Sequence, residues 1–267
     1  MLADFHLHSA FSGDSDACTE EMVRSGIRKG LSELCFTEHL DADYPPADVC
    51  FDLDTPSYLA EIRRLQAAFR DQIRIGFGAE LGLQPHLGDF YRSFTKQYAF
   101  DFVIGSTHLV DRMDPYYPEF WEMHSRESAI RRFLDVTLQN IKAFDDFDVY
   151  GHLDYIIRYI PQGERRFPYT DFADQVDLIL KLLIAKGKGL EINTGSFRSG
   201  LDTPNPCPEI LRRYRELGGE IVTAGSDAHT PEHIGLSFDL ARELLLSCGF
   251  RYVSVFRGRK AEFYPIR

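Results

Sequence analysis

The chain has 267 residues, 44% of them apolar, which is enough for the core of one α/β barrel or of two smaller domains. Its 30 Lys and Arg against 41 Asp and Glu leave a net charge of −11, which excludes a general role in coating nucleic-acid phosphate. Cys18, Cys35, Cys50, Cys207 and Cys248 are odd in number and dispersed without a C-x-x-C pair, so reduced thiols are expected; with no signal-like start in MLADFHLHSAF and no apolar run of membrane-spanning length, the expectation is a cytoplasmic protein without a membrane partner.

In chain order, the first strand is expected at Leu2–His6. A helix follows from Thr19, the expected N-cap, with Glu20 and Glu21 in its first turn, and stops near Gly30. Strand Glu33–Thr37 leads into a polar, proline-containing loop over Asp41–Asp54. Thr55 and Pro56 read as N-cap and first residue of a helix to about Asp71. Strands are expected at Ile73–Glu80 and Phe100–Thr107. Leu109–Ser125 is a long loop rich in Tyr and Pro, a length that in a compact domain usually carries function. Helix Arg126–Phe144, strand Val149–Gly151, helix Asp171–Lys186 and strand Gly189–Asn193 come next. Helix Pro208–Leu217, strand Glu220–Ala224, helix Asp239–Cys248 and strand Tyr252–Phe256 close the series. This alternation predicts a parallel sheet covered by helices. Closure into a barrel of about seven or eight βα units removes the sheet edges. No repeat or linker divides residues 1–267, so a single domain is expected.

The histidines gather at strand ends. His6 and His8 follow the first strand, His39 the second, His108 the fourth and His152 the short fifth, while His229 follows the penultimate one. Glu80 and Asp227 hold equivalent places. In a parallel barrel these ends meet on one face, where active sites lie. A lone histidine is more often a surface or core residue than a ligand, and His86, His124 and His233, in loop or helix context, are read that way. The other six share one pattern. On extended backbone, residues i and i+2 point to the same side, so His6 and His8 can grip one ion, as can Asp227 and His229 if that segment is extended. Gly105 and Gly225 allow close backbone approach beneath a crowded site. Imidazole with carboxylate suits Zn²⁺, Mn²⁺ or Fe²⁺ better than Ca²⁺ or Mg²⁺.

The ordered set DFHLHS, TEH, Glu80 at a strand end, GSTH, GHLD and SDAH resembles the PHP (polymerase and histidinol phosphatase) superfamily over nearly the whole chain. FSGDS, GHLDYIIRY and EINTGSFR, together with the length, are most similar to its stand-alone histidinol-phosphatases of histidine biosynthesis. The resemblance implies a distorted (β/α)7 TIM-like barrel of the PHP type with two or three divalent ions, up to a trinuclear centre. It implies His6, His8, Glu80 and Asp227 on a first metal, and Glu80, His108 and His152 on a second. A third would take Asp14, His39 and His229, with Asp16 a rival to Asp14. Glu38 and Asp154 would orient imidazole N–H groups.

Clustered metals, without a Ser or Cys nucleophile motif or a glycine-rich phosphate loop, point to hydrolysis of a small phosphomonoester by a metal-bridging hydroxide. Asp227 or His229 is the candidate proton donor to the leaving group. Arg158 and Arg198, in loops after strand ends and supported by the resemblance, are the candidate phosphate contacts. Asp41, Asp43, Asp111 and Asp114 are candidates for a rim facing the substrate ammonium, and Tyr116, Tyr117, Phe120 and Trp121 either cover substrate or pack their loop. The expected reaction is hydrolysis of L-histidinol phosphate. The alternatives are another phosphomonoester such as a nucleotide, and a non-catalytic metal-binding module. An amidohydrolase reading lacks the lysine that such sites place at a strand end.

Overall fold

A computed structural model of the chain describes residues 3–45, 49–161, 163 and 165–266, so Leu2 of the expected first strand lies outside the described residues. Short, mostly apolar runs form β1 (Ala3–Asp4), β2 (Glu33–Leu40), β3 (Arg74–Gly82), β4 (Phe102–Ser106), β5 (Val149–Tyr150), β6 (Gly189–Asn193) and β7 (Val222–Gly225). They pair in sequence order, every neighbour parallel. The chain beyond β1 meets β7 and its continuation: Phe5 N–H donates to the Ala224 carbonyl at 2.9 Å, Asp227 N–H to that of His6 at 2.7 Å, and His8 N–H to that of Ala228 at 2.8 Å. The ring of seven strands is thereby nearly closed.

Helices α1 (Thr19–Arg28), α2 (Thr55–Phe69), α3 (Gly88–Gln97), α4 (Pro118–Met123), α5 (Arg126–Ala143), α6 (Tyr169–Ala185), α7 (Pro208–Glu216) and α8 (Phe238–Ser247) accompany the strands. Their apolar faces bury Met22, Ile62, Tyr91, Phe133, Leu180, Leu211 and Leu245 in the main core. Two expected caps shift by one residue. Cys18 precedes α1 without a side-chain cap, and Asp54 rather than Thr55 caps α2, accepting from Ser57 N–H at 3.2 Å. No helix among the described residues is long and apolar enough to cross a membrane.

The last expected barrel strand does not join the barrel. β8 (Tyr252–Arg257) turns at Gly258 and Arg259, both at positive φ, into antiparallel β9 (Lys260–Pro265). Two central residues of positive φ match the twist of a tight hairpin, which sends the chain back along itself. The hairpin sits at the N-terminal end of the strands. Arg257 donates to Glu33 at 2.8 Å, and Arg259 to Asp148 at 2.5 Å. There Val255 and Phe256 pack against Phe5, Cys35, Phe102, Ile104 and Val149 as an apolar floor. β4 shows how one strand serves both ends: Phe102 and Ile104 lie in the floor, and two and four residues further on Ser106 and His108 reach Glu80.

Candidate metal centre

Glu80, near the end of β3 and fully buried, is the hub. His6 Nε2 lies 3.1 Å and His8 Nε2 3.5 Å from its Oε2, and His39 Nδ1, on the neighbouring strand in direct register with it, 3.1 Å. His152 Nε2 is 2.9 Å and His108 Nε2 3.3 Å from Oε1, which also accepts from Ser106 Oγ at 2.7 Å. Five imidazoles from four βα junctions thus face one carboxylate. Asp227 Oδ1 stands 3.8 Å from His6 Nε2 and 3.7 Å from His8 Nε2. His229 closes over His8, and the rings of His8, His39 and His229 form a triangle: His8 is 4.1 Å from His39 and 4.4 Å from His229 between centroids, and those two are 5.8 Å apart. Asp14 Oδ2 is 3.1 Å from His229 Nε2 and 3.6 Å from His39 Nε2, whereas Asp16 makes no contact with an imidazole. All the sequence-predicted ligands therefore converge.

The far nitrogens fix the tautomers. His6 Nδ1–H donates to Glu191 at 2.6 Å. Ser12 Oγ gives its proton to Glu38 at 2.6 Å, so it accepts from His8 Nδ1–H at 3.0 Å. The two Nε2 atoms then turn lone pairs toward each other at 3.0 Å, a repulsive arrangement unless a cation or proton lies between them. His39 Nδ1 and Asp41 Oδ2, 3.7 Å apart, are buried without a well-aligned hydrogen bond, and both are donor atoms that a cation would satisfy. Among the described residues, four overlapping groups have donor atoms within 4.8 Å of one another: His8–His39–His229, His6–His8–Glu80, His39–Asp41–His108 and Glu80–His108–His152. This donor set of nitrogens and carboxylate oxygens fits Zn²⁺, Mn²⁺ or Fe²⁺.

Electrostatics agree. Burial opposes ionisation of Glu80, yet the imidazoles of His6, His108 and His39 hold its carboxyl well below the usual range. Burial likewise opposes charge on His6 and His108, and the facing carboxylates push both well above an ordinary imidazole. Against the same burial, Asp14 and Glu80 raise His39 to about 9. Protons on these rings supply the positive charge that the carboxylates demand. Asp227 is held well below its usual range despite burial, by His6 first and then by Arg158 and Arg198. Its backbone is left-handed (φ 56°), which Asp tolerates, so Asp227 and His229 reach the site through a tight bend and not the extended segment expected.

Arg158 is 7% exposed and holds the back of the site. It donates to Asp227 Oδ2 at 2.9 Å, Asn193 Oδ1 at 2.7 Å and Asn205 Oδ1 at 2.7 Å. Arg198 is half-buried and donates to the Ser226 carbonyl at 3.4 Å. Asp154 does not orient an imidazole, as was expected of it. It accepts from Asn205 at 2.6 Å and from Cys207 N–H at 2.8 Å, and so steadies the partner of Arg158. Gly105 makes room for Phe147 and Leu83; of the two expected glycines only Gly225 lies beneath the site.

The expected acidic rim is already engaged. Asp43 pairs with Arg112 and His86, and Asp111 with Arg132. Asp114 accepts from Tyr44 Oη at 2.5 Å, and Asp41 is buried against His108 Nδ1 at 2.6 Å. In the long loop, Phe120 is buried and Trp121 donates to the Pro115 carbonyl at 2.7 Å, so both pack the loop. Tyr116 is 64% exposed and meets the Tyr159 ring at 5.6 Å. His86, His124 and His233 lie outside the cluster, against Asp43, Phe120 and Thr230. Glu191, Asn193 and the inner role of Asp41 were missed. Only the alternation along β6 and β2 that points these side chains inward hinted at them.

Residues 4–195 match the PHP domain family model. The chain belongs to the PHP domain family. Among proteins similar to this PHP chain, a histidinol-phosphatase of Lactococcus lactis subsp. lactis (strain IL1403) is 36% identical over 97% of this chain and 96% of its own. A probable histidinol-phosphatase of Clostridium acetobutylicum is 31% identical over 95% and 96%. The crystal structure of the L. lactis histidinol phosphate phosphatase, complexed with zinc, L-histidinol and phosphate, superposes with a TM-score of 0.89 at 33% identity, covering 97% of this PHP chain and 98% of its own.

Proposed function

We infer that this protein is a histidinol-phosphatase, a metal-dependent phosphomonoesterase that hydrolyses L-histidinol phosphate to L-histidinol and phosphate. The observation that carries the reaction class is the meeting of five imidazoles on the buried Glu80. The substrate follows from the full-length likeness to the L. lactis enzyme, whose structure holds both products and zinc. We take residues 1–267 as one catalytic domain. Its proposed compartment is the cytoplasm, on the odd and dispersed cysteines, and its acidic charge argues against extended nucleic acid as a partner.

We propose that His6, His8, Glu80 and Asp227 hold one divalent ion, that Glu80, His108 and His152 hold a second, and that Asp14, His39 and His229 hold a third. Zinc is favoured by the neighbour, and manganese or iron suits the same donors. Bound there, the ions would lower the pKa of a nucleophilic water and offset the charge of the phosphoryl oxygens. The chain supplies the rest. Arg198, with N–H donors to spare beyond Ser226, takes phosphoryl oxygens as a fork. Arg158 commits three of its five N–H donors to Asp227, Asn193 and Asn205 and offers the other two to the same phosphate. His229 stands at the mouth, whereas Asp227 Oδ2 is tied to Arg158. Of the two candidates, His229 is better placed to return a proton to the leaving alkoxide, a role open to its Nε2 when the third ion is not bound there.

The test is phosphate release from L-histidinol phosphate, beside a nucleoside monophosphate, before and after chelation. Activity on histidinol phosphate should vanish with the metals and return with zinc, manganese or iron. Turnover that survives full chelation would refute the metal mechanism, and preference for the nucleotide would refute the substrate.

A further inference from the structure

We propose that Glu191 is the positioning residue of this centre: its carboxylate sets the tautomer of His6 and anchors the backbone of His152, so one anion outside the ligand set organises two metal positions. The inference rests on the metal-centre reading above. Glu191 is mid-strand in β6 and 0% exposed. Its Oε1 accepts a hydrogen bond from His6 Nδ1–H at 2.6 Å, on the far side of the ring from the Nε2 that faces Glu80. Its Oε2 accepts His152 N–H at 3.0 Å and Asn193 Nδ2–H at 3.1 Å. Asn193 also reaches Asp227 Oδ2 at 3.3 Å and receives Arg158, which ties Glu191 to the last ligand of the first group.

No Lys or Arg pairs with Glu191 among the described residues; His6 is its only ion-pair partner. A buried carboxylate with so little cationic support is costly for a fold to keep. The neighbouring strands are cleared around it. A Cβ on Gly225 would stand 2.3 Å from Oε1, and one on Gly151 3.4 Å from Oε2. The other oriented rings have partners of their own: Ser12 for His8, four residues away, and Asp41, just after β2, for His108. Glu191 joins the ring of one ligand to the main chain of another, as Ser12 does for His8 and His39, but it does so as an anion. Donation to an anion holds the proton on Nδ1, leaves the Nε2 lone pair for a cation and raises its basicity.

Two measurements decide this. Nitrogen-15 NMR of zinc-loaded wild-type protein should show His6 protonated at Nδ1 and zinc-bound through Nε2; the opposite tautomer overturns the proposal, whatever any variant does. Glu191→Gln should keep the far-UV circular dichroism of the metal-free protein, bind zinc about 10–100-fold more weakly, and regain part of its turnover in excess zinc. A Glu191→Gln protein with wild-type zinc affinity and turnover sinks this proposal alone. Wild-type protein that takes up no zinc sinks the metal-centre reading and this proposal with it.

Discussion

At the scale of the residue, Glu80 and Arg158 make opposite demands on substitution. Glu80 has imidazoles on both oxygens, so Glu80→Gln keeps its shape and loses the charge that gathers them. Loss of an outer hydrogen-bond partner of a ligand costs about 10–100-fold, so Glu80→Gln should lower kcat/KM by more than about a hundredfold and leave less metal bound on elemental analysis. Arg158→Ala leaves oxygens of Asp227, Asn193 and Asn205 buried without their donor. It should cost about 3–5 kcal/mol in denaturant unfolding and weaken metal retention as well as turnover. Arg198→Ala breaks one long contact to a carbonyl, so it should raise KM and slow turnover while metal content and Tm stay put. The ligands themselves were legible because histidine and carboxylate at the ends of strands are conspicuous. Glu191 and Asp41 were not. The first sits inside GLEIN, where an inward carboxylate looks like any strand residue, and the second opens a polar loop, where aspartate is ordinary.

At the scale of the element, the strand–helix alternation was readable and three pieces were not, the first being α4, a short helix inside the expected loop Leu109–Ser125. Helix α3 opens on Gly88 and carries Phe90, Tyr91 and Phe94, residues with strand preference, which masked the helical spacing of its buried Tyr91, Phe94 and Thr95. The C-terminal hairpin was hidden because Tyr252–Phe256 has the composition of a barrel strand; only the Gly258-Arg259 turn separates the two fates. β1 and β5 have two residues each; HLH goes on pairing beyond β1, with Leu7 in a parallel bridge to Ala228, whereas GHLD turns away after β5 to carry His152. The hairpin's work is packing. Phe256 is 4% exposed and meets Phe102 at 5.0 Å between ring centroids. Phe256→Ala should therefore cost about 3–5 kcal/mol in chemical unfolding. Since the floor and the metal cluster occupy opposite ends of the strands, kcat of the folded protein should stay within a factor of two or so of wild type.

At the scale of the whole molecule, a net charge of −11 and a cluster of buried carboxylates make the fold depend on what cations it holds. Ions that bind only the folded chain stabilise it by about 4 kcal/mol each at a thousand times Kd, so chelation should lower Tm by roughly ten degrees or more and metal should restore it. In the metal-free protein His6, His39 and His108 have raised affinity for protons, and a cation must displace them. Metal affinity should thus fall as pH falls, with protons released to buffer on binding, as calorimetry in buffers of different ionisation heat would read. Phe5, Phe102, Val255 and Phe256 stop one end of the strand ring, which makes the interior a blind alley. On the proposed function, substrate, water and products would use the opposite end, where His229 and Arg198 are partly exposed. A phosphate held at the proposed arginine contacts would then bar entry to the next molecule.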